Sequence, residues 1–268
     1  MIYSLILAAG LASQASAACT RATLEAATEQ FLAAVAGGKT TFAALASNAS
    51  YIENDAPINI AKGFLAAPIT IDLNRTLLDT TQCASAVEIV AATSSHPYVI
   101  VSHLLFTDDK VTTLQSVVTD KGDWAFNVAG SLRYNKPEKW DPIAEAKRDS
   151  RDVIRAAGDA YLDSWGNSSV KPPYGAPCNR LEGGSYTGSA TSTTNSCTMP
   201  QFPGTFHAGN RRYIIDVDVG GLSIFNDFPF IDKAKPDGTP SSNLFRVEGG
   251  KIRYIHEATV CTQNNCGR

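Results

Sequence analysis

One segment of this chain occurs twice, and that repetition limits the folds open to it more than any other feature. TRATLEAATEQFLAAVAG, residues 20–37, returns as SRDVIRAAGDAYLDSWGN, residues 150–167. At constant spacing Arg21 falls on Arg151, Ala26-Ala27 on Ala156-Ala157, Leu32 on Leu162 and Glu29 on Asp159. Leu24, Ala27, Phe31 and Val35 follow helical spacing, as do Ile154, Ala157, Tyr161 and Trp165. Thr20 and Ser150 stand where N-caps belong. Shorter echoes follow. YIEND at 51–55 aligns Glu53 with Glu182 of RLEGG, and HPYVIV at 96–101 aligns Tyr98 with Tyr213 of RRYIID. TDKGDW at 119–124 aligns Lys121 and Trp124 with Lys251 and Tyr254 of GGKIRY. A fixed period of this kind implies a duplicated unit. The expected fold is α+β, in two tandem halves at 18–147 and 148–268, each a helix packed on a curved antiparallel sheet. A single β-sandwich carrying helices is the alternative.

NKPEKWDPIAEAKRDS, 135–150, is the charged, proline-punctuated bridge between the halves. Residues 183–204, rich in Gly, Ser, Thr and Pro around Cys197, read as a long loop of the kind that forms lids or binding loops. Residues 233–243 form a second turn-rich segment.

Residues 1–17 carry no charged side chain and run from an apolar stretch to Ala15-Ser16-Ala17, the pattern of a cleaved secretory leader. The stretch is too short for a membrane span, and no membrane anchor is expected. Cys19, Cys83, Cys178, Cys197, Cys261 and Cys266 are even in number and form no CxxC pair. They predict three disulfides in an oxidising compartment. Cys19 with Cys83, and the other four among themselves, is the local pairing. Asn48, Asn74 and Asn167 open Asn-X-Ser/Thr sequons and predict a glycoprotein of the secretory pathway. A net charge of −3 without a lysine-arginine stripe argues against nucleic acid as a partner.

Signatures of nucleophilic, metallic or nucleotide chemistry are absent: there is no GxSxG, HExxH, GxGxxG or P-loop. Asp216-Val217-Asp218 lacks further ligands nearby and reads as surface charge, so no metal and no cofactor is expected. What remains suits an apolar pocket. His256 and Tyr254 share one face of the last strand and are the candidate catalytic pair, His256 as a proton donor or acceptor near neutrality. A structural histidine is the plainer reading. Glu257 points to the other face, toward Arg253, as a surface pair, and His96, His103 and His207 carry weaker cases. Tyr213, Trp124, Phe225, Phe228 and Phe230 are candidates to line the pocket, with ordinary core as the alternative. Glu53 and Glu182 are either acid-base groups or partners of arginines such as Arg180.

A helix followed by a bent sheet resembles the cone-shaped NTF2-like and SnoaL-like proteins. WDPIAEAKRDSRDVIRAAGDAYLDSW, PYGAPCNRLEGGSYTG, NRRYIIDVDVGGLSIFNDF and FRVEGGKIRYIHEATVC are similar to a family of fungal secreted proteins. That family includes the hetero-Diels–Alderases of tropolone–sesquiterpene meroterpenoid biosynthesis. The resemblance implies a cofactor-free, glycosylated cyclase. It would join a tropolone o-quinone methide, formed by dehydration, to a humulene-type sesquiterpene alcohol. A SnoaL-like dehydratase or isomerase acting on a polyketide, and a non-catalytic secreted binder or effector, are the alternatives. A homodimer is the one protein partner considered. The cyclase reading requires a vacant cavity, in at least one half, wide enough for a fifteen-carbon ring.

Overall fold

The computed structural model describes residues 19–186, 197–199, 202, 204–263, 265 and 266. The leader expected at 1–17 and most of the loop at 183–204 lie outside the described residues. Helix α1, Arg21–Gly37, begins at Thr20, whose side chain accepts the N–H of Thr23, and α3, Arg151–Gly166, begins at Ser150 in the same way. Both bury the stripes read from the sequence. Helix α2, Val128–Asn135, lies between them.

Among the described residues, each leading helix is followed by six strands. The first set is β1 Leu45–Glu53, β2 Ala56–Pro57, β3 Leu73–Asp79, β4 Ala84–Ala91, β5 Tyr98–Thr107 and β6 Lys110–Thr119. The second is β7 Tyr174–Glu182, β8 Ser185–Tyr186, β9 Arg212–Asp216, β10 Gly221–Phe228, β11 Thr239–Glu248 and β12 Lys251–Thr259. The sheets have one order, β2-β1-β6-β5-β4-β3 and β8-β7-β12-β11-β10-β9. The chain is thus α+β with two matching helix-and-sheet units. Neither sheet is wholly antiparallel, as had been expected. After the helix, the first long strand returns beside the last one in the same direction, so β1 pairs β6 and β7 pairs β12 in parallel.

The duplication is closer than the sequence suggested, because equivalent turns use different residues. β1–β2 turns through Asn54-Asp55 at φ 51° and 60°, and β7–β8 through Gly183-Gly184 at φ 56° and 98°. β5–β6 turns through Asp108-Asp109, and β11–β12 through Gly249-Gly250, again with both φ values positive. Two of the short sequence matches are corrected. Tyr98 opens β5, whose counterpart is β11, whereas Tyr213 lies in β9, the counterpart of β3. Lys121 and Trp124 follow β6, whereas Lys251 and Tyr254 lie within β12. The cause is unequal spacing: 25 residues separate β8 from β9 and 15 separate β2 from β3, so a constant offset fails after the second strand.

The helices cover one face of each sheet, giving two helix-side cores. The other faces meet through Leu77, Ala86, Ile214 and Leu244, and through Val101, Val117 and Phe225. Two reciprocal latches join the halves. Arg21 at the start of α1 holds Asp216 at the end of β9 at 2.9 and 3.0 Å, and Asp216 also accepts the N–H of Leu78. Arg151 at the start of α3 holds Asp79 at the end of β3 at 2.7 and 2.9 Å, and Asp79 accepts the N–H of Ile215. The reading of Asp216 as surface charge is therefore corrected: it is buried because its carboxylate joins the two units.

The disulfides are Cys19–Cys83, Cys178–Cys197 and Cys261–Cys266, which fits an oxidising compartment. Asn48, Asn74 and Asn167 are all exposed. Among the described residues, no helix is long and apolar enough to cross a membrane.

Candidate functional site

The register of β12 shifts between Ile252 and Tyr254, and this sorts its side chains. Tyr254 and His256 face the opposing sheet; Ile252 and Ile255 join the core beneath α3. His256 lies between two carboxylates, with Nδ1 2.9 Å from Glu88 on β4 and Nε2 2.8 Å from Glu138 on the bridge. Asn135 donates to the same Glu88 at 2.6 Å, and Arg75 donates to the backbone carbonyl of Asn135 at 3.2 Å. Burial alone would lower the pKa of His256, but the charges of Glu138 and Glu88 outweigh it and push it up to about 10. Burial likewise works to raise Glu88, and the charges of His256 and Arg75 hold it below the usual carboxylate range. The space beside His256 is about 10 Å³, on the order of one water. Tyr254 stacks on Trp140 with ring centres 5.9 Å apart, and its hydroxyl accepts the N–H of Lys139. The expected catalytic pair thus straps the bridge across the seam between the sheets. An imidazolium with both N–H groups on carboxylates is a strut, poorly placed to meet a substrate.

The expected lining residues divide between two faces. Phe225 packs in the seam on His103, with ring centres 3.6 Å apart. Burial, aided by Arg212, keeps His103 well below its usual pKa, so it is neutral. Tyr213, Trp124 and Phe228 lie on the α3 side. Tyr213 donates to Asp159 at 2.7 Å under Arg155, and Trp124 donates to Glu182 at 2.8 Å. Phe228 is core among Trp165, Phe202, Phe206 and Phe230. Phe225 and Phe228 part because strand positions of odd separation point to opposite faces.

The open spaces lie elsewhere. A chamber of about 340 Å³ opens where α1 gives way to β1. Leu45, Tyr51, Ile58, Ile60 and Leu114 form its apolar wall, and Thr40, Thr41, Ser47, Ser50 and Asn59 its polar rim. Asn59 Oδ1 accepts the N–H of Ala61, which leaves its amide nitrogen as a donor. Tyr51 donates to Glu53, and burial and that carboxylate raise its pKa above the usual phenol value. No side chain that titrates near neutrality lines this chamber. At the matching place in the second half, a space of about 310 Å³ is lined by Ser164, Trp165, Val170, Tyr174, Thr198 and Met199, among others. A third space, between the halves, is charged: Glu53, Lys62, Asp120 and Asp123 line it.

Glu257 was misread. It faces α3 rather than solvent and is buried. Thr259 donates to it at 3.1 Å, and Arg180 approaches to 3.8 Å while pairing with Glu182 at 2.8 Å and Tyr161 at 2.9 Å. Burial, with Glu182 nearby, pushes the Glu257 carboxyl up to about 8. The available signal was Ile255, which shares its face and marks that face as core. Arg180 beside Glu182 bears out the arginine-partner reading of that glutamate.

Among the described residues, no group of three or more His, Cys, Asp or Glu could hold a metal ion. No curated protein matches the chain. Residues 147–259, which take in α3 and the whole second sheet, match the family model described as a domain of unknown function, DUF8021.

Proposed function

We propose that this chain is a cofactor-free hetero-Diels–Alderase of the NTF2/SnoaL-like kind, acting in the chamber of its first half. The observation that carries the reading is the chamber: about 340 Å³, apolar walls, a hydroxyl-and-amide rim and no acid-base pair. Its volume lies within the range of small-molecule pockets, roughly 300–1,000 Å³. In a hetero-cycloaddition the enone of an o-quinone methide gains one C–C and one C–O bond across an alkene. No electron or proton enters or leaves, so orientation is the main requirement. Holding two reactants in one geometry supplies roughly 7–11 kcal/mol in favourable cases. Leu45, Ile58, Ile60 and Leu114 would hold the terpene, and Asn59 with the rim hydroxyls would donate to the tropolone oxygen as it gains charge.

The same lack of an acid-base pair disfavours a dehydratase or isomerase in this chamber and favours, as the second reading, a binder without turnover. Incubation of the secreted glycoprotein with a hydroxymethyl-tropolone and humulenol separates the two. The cyclase gives a single enantiomer of the dihydropyran faster than the protein-free mixture. A racemic product at the background rate, with the terpene alcohol retained on the protein, makes it a binder.

A further inference from the structure

β1 and β7 carry the same irregularity. Against β6 the register jumps from Leu45↔Val111 to Ser50↔Thr113, and against β12 it jumps from Tyr174↔Ile252 to Asn179↔Tyr254. Residues 46–49 and 175–178 therefore bulge from their ladders, a device that re-aims side chains beside sites. The spacing that sets Glu53 on Glu182 sets Ala49 on Cys178 and Asn48 on Pro177.

In the second half this bulge anchors part of a chamber wall. The Cys178–Cys197 disulfide ties the chain there, and the next residues, Thr198 and Met199, form part of the wall of the second chamber. The first bulge has no disulfide. It bears a sequon instead, Asn48-Ala49-Ser50, with Asn48 exposed while Ser47, Ala49 and Ser50 line the chamber. We propose that Asn48 carries an N-linked glycan that covers the first chamber, at the bulge where the second half ties Thr198 and Met199 into its wall. In the transfer, the Asn48 amide nitrogen bonds to C1 of an N-acetylglucosamine and loses a proton. The C1–O bond to a lipid-linked diphosphate donor breaks, and the diphosphate leaves. The first sugars then stand over a rim of Thr40, Thr41 and Ser47, whose hydroxyls can donate to and accept from a sugar. A bulky, polar glycan at this place narrows access without altering the wall.

This inference rests on the first chamber being the binding site, and its test uses no substrate. The full chain is secreted from a fungal host with Ala46→Cys in the chamber wall, and with Asn48 intact or as Asn48→Gln. Mass spectrometry should find the Asn48 peptide glycosylated. A bulky maleimide should label the glycosylated protein several-fold more slowly than the Asn48→Gln form, with a smaller difference for iodoacetamide. Asn74→Gln, on the far edge strand β3, should leave both rates unchanged. If the added cysteine disturbs the disulfides, the release rate of an apolar dye from chains without it gives the same comparison. An unmodified Asn48, or equal rates with and without it, overturns the proposal. Cycloaddition without gating removes only the glycan cover; gating without cycloaddition removes only the cyclase.

Discussion

The two halves share strand order, bulges and positive-φ turns, yet they differ in what lines their matching chambers. Where α1 gives way to β1 the first half leaves an open chamber with leucine and isoleucine walls. At the matching place the second half opens a space of about 310 Å³ walled by Trp165, Tyr174, Val170 and Met199, with Lys171 among its lining. One backbone therefore supports two chambers of similar size and unlike lining, and the residues that follow each helix decide the difference. Fold and function are separable here. The sharpest way to break the comparison is to fill each chamber in turn. Ala46→Trp places an indole in the first. If that chamber holds the reactants, displacement by an ångström or more should cost about a hundredfold in cycloaddition rate and erode enantiomeric excess. Ser164→Trp, at the mouth of the second, should leave both unchanged. Equal loss from both variants would erase the functional distinction between the halves.

The next largest effect concerns what joins the halves. His256→Ala strands Glu88, which is wholly buried, beside Glu138 with the imidazolium gone. Breaking such a pair costs about 3–5 kcal/mol, readable as a lower urea midpoint. Turnover per folded molecule should not change, because His256 touches no chamber; a loss of chemistry without loss of stability would restore it as a catalyst. The pH dependence has a definite sign. With a folded pKa of about 10 against an ordinary 6.5, the contribution of His256 is fully present below about 6.5. It is lost as pH rises toward 10, at up to about 1.4 kcal/mol per pH unit. His256→Ala should flatten that decline.

How far these regions were legible in the sequence follows from their physics. The helices were legible because Leu24, Phe31, Ile154 and Tyr161 repeat at a fixed period and Thr20 and Ser150 cap them. The disulfide of Cys19 with Cys83 was legible as a local pairing. The sheets were not aligned beyond their second strands, since Asp108-Asp109 and Gly249-Gly250 solve one turn with different residues. The site was the least legible. One bulge before Tyr254 decides which residues of β12 meet α3, and a single-residue shift exchanges the faces. His256 meets Glu88 and Glu138 from distant parts of the chain, and no local pattern announces such a meeting.

Smaller effects test whether the seam is symmetric. Arg21→Ala and Arg151→Ala each remove a forked contact to a buried aspartate that keeps backbone N–H partners. Each should cost about 1.5–3 kcal/mol in chemical unfolding. Asp216 also binds the N–H of Leu78 next to Asp79, and Asp79 binds that of Ile215 next to Asp216, so the latches share their surroundings. The double variant should depart from the sum of the singles by at least about 0.5 kcal/mol. Strict additivity would mean two independent surface pairs.

A last comparison isolates one pair of equivalent ladder positions. Ser102 faces Ser116 across β5 and β6, and their hydroxyls bond to each other at 2.8 Å. At the matching place in the second half, Asn243 faces Glu257, and Asn243 Oδ1 and Glu257 Oε2 have no hydrogen-bond partner among the described residues. The first pair is self-sufficient; the second is stable only while Glu257 keeps its proton. Its folded pKa, raised from 4.5 to about 8, means that the folded chain retains a proton which the unfolded chain releases above 4.5. Stability therefore falls between those pH values, by at most about 1.4 kcal/mol per unit. Glu257→Gln keeps the shape and removes the titration. Its stability relative to the parent should rise steadily from pH 4.5 to pH 8 and level off beyond, measured as the difference between two denaturation series. A difference independent of pH would mean that Glu257 is already ionised in the folded protein, held by Arg180 at 3.8 Å. The second half would then be as electrostatically settled at this position as the first.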